Sequence, residues 1–442
     1  MSASETWETA SDLNDSRVFH STCAAGGLII AFGGQNAGGG SGIDSVEAYD
    51  PNEDTWTARQ PMPNPRLGMM VAEVNGFCYL FGGAEVPGAP AVALTERYDP
   101  VTDTWTTLSS MPTARAVGAA AVVNDLVYVA GGAATGNTAS QVFDALEIYD
   151  PASDTWTSAP AMPTARASLA ASAIGERIFY VGGGTAGVLA SDTPANEMFD
   201  TQTGTWTILA PMPTRRGELA AASTGNTLIA IGGADGQSLV DAVERFDPAT
   251  GEWSGAEPLP TARWGLRASV LAGRVFVTGG SSEFGFGHNS LSTNEVLAGQ
   301  GPTINAGFND AWFNTETPGQ GFFIVVYPDI PLLFLAWFTY DTTAPDNPDA
   351  ATLGDAGSRW LTAQGPFSGN EATLDIFVSR DGRFDSSEPV PVTEAAGTMT
   401  VRFESCGLGS VSYTIPDLNL TGEIPISRVA EDNIVLCEAL LE

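Results

Sequence analysis

The passage LVYVAGG at 126–132, LEIYDP at 146–151, DTW at 154–156 and MPTAR at 162–166 recurs, with variation, six times. Working outward from Trp156, tryptophans stand at Trp7, Trp56, Trp105, Trp206 and Trp253, spaced 47 to 51 residues apart. Double glycines beginning at Gly33, Gly82, Gly131, Gly182, Gly232 and Gly279 keep the same spacings. An arginine follows each Trp by ten residues: Arg17, Arg66, Arg115, Arg166, Arg216 and Arg263. Glu47, Glu96, Glu147, Glu197, Glu244 and Glu295 form a fourth series. Four residue types in one register indicate a repeat architecture rather than chance self-similarity. Each unit reads as four short strands. They are a small-residue strand after the Arg, a strand ending in Gly-Gly, a strand carrying Glu and an aromatic, and a strand carrying the Trp. Turns such as DPNED (50–54) and DPASD (150–154) join the last two strands, as expected of an antiparallel meander.

The composition agrees. Of 442 residues, 50 are Gly and 28 are Pro, a turn-rich usage suited to many short strands. All 18 basic residues are Arg, against 52 acids, for a net charge of −34. Nucleic acid and anionic membranes both need a basic face, so neither is expected as a partner. No membrane span is expected. The one tempting run, Phe322 to Tyr340, is broken by Pro328, Asp329 and Pro331 and reads as two strands around a turn. Two His and four Cys without CxxC spacing predict no metal cluster, and no cofactor is expected. The segment SRDGRFDSSE (379–388) misses the spacing of a calcium loop, and the acidic stretch 341–357 reads as solvated surface. The first 20 residues show no secretory leader.

The hhhGG, VExYDP, TW and MPTAR elements resemble the kelch family over about residues 5–300. The resemblance implies an all-β chain in which residues 1–300 form a six-bladed propeller, the strand after each Arg lying innermost. The sixth unit lacks its Trp strand, and the chain begins with an isolated one, ETWETA (5–10). The N-terminal strand is therefore expected to complete the last blade and remove a free sheet edge. Residues 303–442 carry none of the four series and read as a separate, mostly β domain. GQGFF, LAWFTYD and RWLTAQGP resemble tail domains of unknown function on exported bacterial proteins. Cys406 and Cys437 are expected to form a disulfide, and an extracytoplasmic setting follows from that pair and the tail. Cys23 and Cys78 fall in different blades at non-equivalent registers and are expected to remain free core thiols.

In the kelch arrangement the six Arg would ring the channel mouth, where guanidinium suits carboxylate or phosphate ligands. The alternative is six structural Arg–Glu pairs. Departures from the repeat mark sites better than the repeat itself. Two positions after the Arg stand Phe19, Gly68, Val117, Ser168, Glu218 and Gly265; Glu218 is the only charge, beside Arg215 and Arg216. Glu218 with Arg216 is the candidate acid–base pair. Trp264 and Arg267 are further oddities, and Phe286 and His288 on the loop SSEFGFGHNSLS offer a contact surface.

These features predict a non-catalytic binding propeller acting as a monomer on a protein, a glycan or an acidic small molecule. Two alternatives remain: a sugar epimerase or mutarotase of the six-bladed kelch sialic-acid type, and a structural surface or adhesion component. Two His cannot build the copper-radical site of other kelch-like oxidases.

Overall fold

In a computed structural model, the structure describes residues 6–37, 40–51, 53–135, 141–185, 192–224, 226–271, 273–283, 289–297, 304–313, 321–327, 332–340, 358–368, 370–380, 392–403, 406–416, 420–429 and 437. The chain divides into two compact units, residues 1–298 and 299–442.

The first unit is a six-bladed propeller. Blade 1 comprises Ser21–Ala25, Leu28–Phe32, Val46–Asp50 and Thr55–Arg59, in sheet order from the axis outward. Blades 2 to 5 repeat this pattern, with inner strands Met70–Val74, Ala119–Val123, Ala170–Ile174 and Ala220–Thr224. Blade 6 has three strands of its own, beginning with Arg267–Leu271, and takes Trp7–Ala10 as its fourth. Trp7 lies opposite Leu297 and Thr9 opposite Glu295, so the earliest strand completes the last sheet as expected. The six inner strands pack in sequence, and blade 6 returns to blade 1.

Local chemistry explains the blade. The inner hairpins turn through residues with positive φ, such as Gly26-Gly27, Asn75-Gly76 and Asn124-Asp125, the two-residue turns whose twist matches the strands. Inner strands such as AAAVV and AASAI carry small side chains because neighbouring sheets converge there. Each blade Trp donates its indole N–H to a main-chain carbonyl of the preceding blade at 2.8–3.1 Å: Trp56 to Ser11, Trp105 to Gln60, Trp156 to Ser109, Trp206 to Pro160, Trp253 to Ala210 and Trp7 to Glu257. The indoles are therefore seals between blades, mostly half-buried, while the neighbouring Tyr49, Tyr98, Tyr149, Phe199 and Phe246 are fully buried. In blades 1 to 3 the Tyr hydroxyl donates to Asp54, Asp103 and Asp154. Where Tyr becomes Phe199 or Phe246, the partner position holds Gly204 or Gly251.

The cysteine expectation needs correction. Cys23 and Cys78 are not free thiols but form a disulfide, with Cα atoms 6.1 Å apart. Cys23 lies on the inner strand of blade 1 and Cys78 on the second strand of blade 2. Adjacent blades pack with exactly this offset of strands, so non-equivalent registers bring the sulfurs together rather than keeping them apart.

The second unit is a closed eight-stranded barrel running in chain order from Asp310–Phe313 to Leu420–Arg428. Pairing of Trp312 with Arg428 and Phe313 with Ser427 closes it. Strands alternate, as in Gly321–Tyr327, so that Phe322, Ile324 and Val326 enter a core with Trp312, Leu335, Leu374, Val401 and Val411. Cys406 and Cys437 are joined by a disulfide. The buried Arg428 guanidinium donates to the carbonyls of Gly307 and Cys406, pairs with Asp310 at 2.9 Å and lies over Trp312. The segments 341–357 and 381–391 lie outside the described residues. No described helix is long and apolar enough to cross a membrane.

Candidate functional site

The loop from Gly-Gly to the third strand and the linker that enters each inner strand meet at one end of the propeller. The residue after each Arg bridges the residue after the same blade's Gly-Gly: Val18 with Gln35, Leu67 with Ala84, and so on to Trp264 with Ser281. This end is the channel mouth.

The six Arg do not present themselves there. Arg17, Arg66, Arg115, Arg166, Arg216 and Arg263 are fully buried, each pairing within its own blade with Glu47, Glu96, Glu147, Glu197, Glu244 and Glu295. The Arg166–Glu197 and Arg216–Glu244 separations are 2.7 and 2.6 Å. Except in blade 2, the guanidinium also donates to the carbonyl of its blade's first glycine, as Arg115 does to Gly131 at 3.0 Å. The arginine's own carbonyl accepts from the second glycine of the preceding blade at 2.8–3.0 Å, from Gly34→Arg66 around to Gly280→Arg17. Each Arg thus ties side chain to its own sheet and main chain to the neighbour. A Cβ on Gly131, whose φ is +66°, would lie 2.5 Å from the Arg166 carbonyl, which explains the glycine. Burial pulls all six below the usual guanidinium value, Arg263 to about 10. The expectation of a ligand-binding Arg ring, and of Arg216 as Glu218's partner, is therefore corrected: these charges are enclosed by their own blades.

The repeat-breaking positions form a different ring. Phe19, Gly68, Val117, Ser168, Glu218 and Gly265 all adopt φ between +51° and +65°. The amide of each donates to the carbonyl of its counterpart in the preceding blade at 2.7–3.1 Å, and Phe19 bonds Gly265 to complete the circle. These main-chain hydrogen bonds form a closed collar that passes once through every blade. Left-handed backbone favours glycine, yet four blades keep a side chain there. One arc is apolar. Phe19 packs edge-on against Trp264 at 5.3 Å, and Val117 is buried among Ala84, Ala116, Ala133 and Ala167. Trp264 is itself buried, its indole donating to the Glu283 carbonyl at 2.8 Å, so it supports Phe19 rather than lining the mouth. Phe286 and His288 lie outside the described residues.

The other arc is ionisable. Glu218 is buried and accepts the Ser168 hydroxyl at 2.5 Å. Burial raises its carboxyl, which Ser168 and Arg267 partly offset. Arg267, on the inner strand of blade 6, donates to the Leu266 carbonyl. Burial lowers its guanidinium and Glu218 raises it. Asp192 enters from the loop of blade 4. Its carboxylate sits against Gly217, where a Cβ would lie 2.5 Å from Oδ1. Its Oδ2 is buried without a hydrogen-bond partner. Burial, then Glu218 and Asp235, push Asp192 up to about 7, against the opposing charge of Arg215. Nearby His20 bonds Thr278 at 2.9 Å and is held well below its usual value by burial and by Arg17, Arg267 and Arg263.

Asp192 is the residue that sequence reasoning missed. Counting five residues back from each series Glu gives Gly42, Ala91, Val142, Asp192, Leu239 and Ser290, a row with one charge. Among the described residues, no group of three or more His, Cys, Asp or Glu is arranged to hold a metal ion.

Comparison with known proteins accords with this geometry. A family model described as the KLHDC2/KLHL20/DRC7 Kelch-repeats domain matches residues 2–183, and the Kelch motif matches residues 165–213 and 215–260. The propeller belongs to the kelch-repeat family. A solved structure titled "Structure of YjhT" superposes on the kelch chain with a TM-score of 0.56 at 18% identity, covering 65% of this chain and 97% of that one. At that identity the likeness concerns the fold. No curated protein matches the chain. The two disulfides are consistent with an extracytoplasmic protein.

Proposed function

We propose that this kelch chain is a ligand-binding propeller of an exported protein, and that its ligand, a small acidic molecule or an acidic glycan unit, is taken at the channel mouth between blades 4, 5 and 6. One observation carries the reading. Asp192, Glu218 and Arg267 break the repeat, converge on one arc of the mouth, and are not consumed by ion pairs as the six Arg–Glu couples are. Arg267 supplies donors for a carboxylate, the two carboxyls bond hydroxyls, and Phe19 offers an apolar neighbour. The test is a thermal-shift panel of glucuronate, N-acetylneuraminate and neutral sugars. A rise in melting temperature with an acidic member, abolished by Arg267→Ala, is expected. A silent panel combined with recovery of a specific protein partner would replace this reading with protein binding through the loop face.

A second reading, an epimerase or mutarotase, has one observation in its favour. A carboxyl at about 7 beside another carboxyl is suited to exchanging protons near neutral pH. Faster interconversion of sugar anomers, lost in Glu218→Gln, would support it.

A further inference from the structure

We propose that the barrel is a binding site in its own right: it takes an uncharged, flat apolar molecule that carries a carbonyl-type oxygen, and that oxygen accepts from the Trp337 indole. The inference does not depend on the reading of the channel mouth.

One indole in this unit has an unmet donor. Trp337, on the strand Leu332–Tyr340, belongs to the barrel core and is 4% exposed. Its Nε1–H is buried without a hydrogen-bond partner. The six blade indoles, Trp264 and Trp312 each donate to a main-chain carbonyl, so among the described indoles Trp337 stands alone. A buried donor left unmet is costly, and an indole only donates, so whatever satisfies it must bring a lone pair.

The barrel is plugged at one end and thin along one seam. At the plug, the helical turn Ala306–Phe308 lays the Phe308 ring on Phe403 at 4.2 Å, and Gly307 lies against Cys437, which the disulfide ties to Cys406. Trp337 belongs to a second ring cluster. It stacks on Phe322 at 5.5 Å and meets Tyr413, from the opposite wall, at 4.9 Å. The seam joins the first strand to the last through two described pairs, Trp312–Arg428 and Phe313–Ser427. Over Leu420–Ile426 the last strand therefore has no described partner on that side. Its core-packed residues Leu420 and Ile424, and Tyr413 on the adjoining strand, are half-buried rather than enclosed. Gly422 stands opposite Tyr413, and a Cβ there would lie 2.7 Å from the Tyr413 hydroxyl oxygen, so the glycine leaves the ring room to lie across the strand. A core-facing side chain of a closed barrel reaches solvent only through an opening, and these residues trace it.

The lining selects the occupant. Phe322, Leu361, Tyr413 and Ile424 offer an ion no counter-charge, which excludes a charged ligand. Arg428, the one buried charge among this unit's described residues, is held at the plug by Asp310 and the Gly307 and Cys406 carbonyls. The ring faces favour a flat body, and the interior of an eight-stranded barrel admits one small molecule.

The test uses the full chain and three neutral probes. Prodan, a naphthalene ketone whose emission moves to the blue in apolar surroundings, should bind saturably at a single site. The ketone 2-acetylnaphthalene and the hydrocarbon 2-ethylnaphthalene share a shape, but only the first has an acceptor oxygen. In displacing prodan the ketone should be about tenfold the tighter. Trp337→Phe keeps a ring and removes the donor; there the two should agree within about twofold, with a melting temperature at or above that of wild type. Gly422→Leu, which fills the opening, should lose prodan binding and serves as the second variant should the first fail to fold. Equal affinities for the two probes in wild type, or a preference that survives in Trp337→Phe, overturn the role of the indole. Absent or unsaturable prodan binding, or binding undiminished in Gly422→Leu, overturns the site. No probe is an acid, so either failure leaves the channel-mouth reading standing.

Discussion

Two sets of buried charges lie within the same propeller and behave oppositely. In the girdle, each Arg has a Glu in its own sheet and a neighbouring blade hydrogen-bonded to its main chain, and in every blade but the second a glycine carbonyl under its other nitrogen. At the mouth, Glu218 has the Ser168 hydroxyl as its side-chain donor, Asp192 lies against Gly217 with its Oδ2 buried and unpartnered, and neither is held by an ion pair like those of the girdle. The difference teaches that recurrence marks structure: a charge repeated in every blade has its partner repeated with it. A charge that appears once has none of that support, and its burial needs another reason.

The comparison can be broken in several ways. The largest effect is expected from removing residues 1–12, which opens blade 6, leaves the edge of Asn294–Leu297 unpaired and takes the Trp7 indole donor from the Glu257 carbonyl. The melting temperature should fall by ~10 °C or more, or the transition lose cooperativity. An unchanged transition by calorimetry would mean that the girdle does not need closure. Next comes Arg166→Ala, which strands Glu197 in the interior and should cost about 3–5 kcal/mol by denaturant unfolding. A loss below about 1 kcal/mol would deny the girdle its structural role. Replacing both Cys23 and Cys78 by Ala should cost about 2–4 kcal/mol, because the bridge constrains the unfolded chain across two blades.

The sharpest contrast is a single substitution made in both regions. Glu197→Gln should destabilise, since it leaves Arg166 without its counter-charge. Glu218→Gln should do the reverse at pH 8. The sign follows from burial. Folding raises the Glu218 carboxyl above its unfolded value, so ionisation opposes the fold. That penalty is absent below the unfolded value, near pH 4, and complete once pH exceeds the folded value. Urea titrations of both variants at pH 4 and pH 8 would show the crossing, and the same sign in both would erase the distinction. The smallest effect, about 1 kcal/mol, is expected from Tyr98→Phe, which removes a hydroxyl from Asp103 while Gln60 still donates to that carboxylate.

Much of this was legible in the residues. The blade count, the strand order and the closure by Trp7 follow from a register that translation along the chain preserves. So does the pairing of Arg with Glu, one of two alternatives that the spacing left open. Asp192 was hidden because the loop after Gly-Gly varies in length, so counting forward from glycine loses the register that counting back from Glu keeps. The Cys23–Cys78 bridge was hidden for a related reason: contacts between blades pair an inner strand with a second strand, which makes equivalent registers the wrong test. In the tail, alternation disclosed strands such as Gly321–Tyr327 and Leu332–Tyr340, but not that Trp312 would lie beside Arg428 and close a barrel.

What the amino-acid order determined alone was everything periodic: six sheets, their hairpin turns and the chemistry holding each sheet together, because these depend on residues at short, repeated separations. What only the tertiary structure decided was which singular residues meet. The collar, the interblade disulfide, the barrel seam and the approach of Asp192 to Gly217 all join positions whose separation in sequence carries no signal, and their energies depend on burial that exists only after each unit has closed.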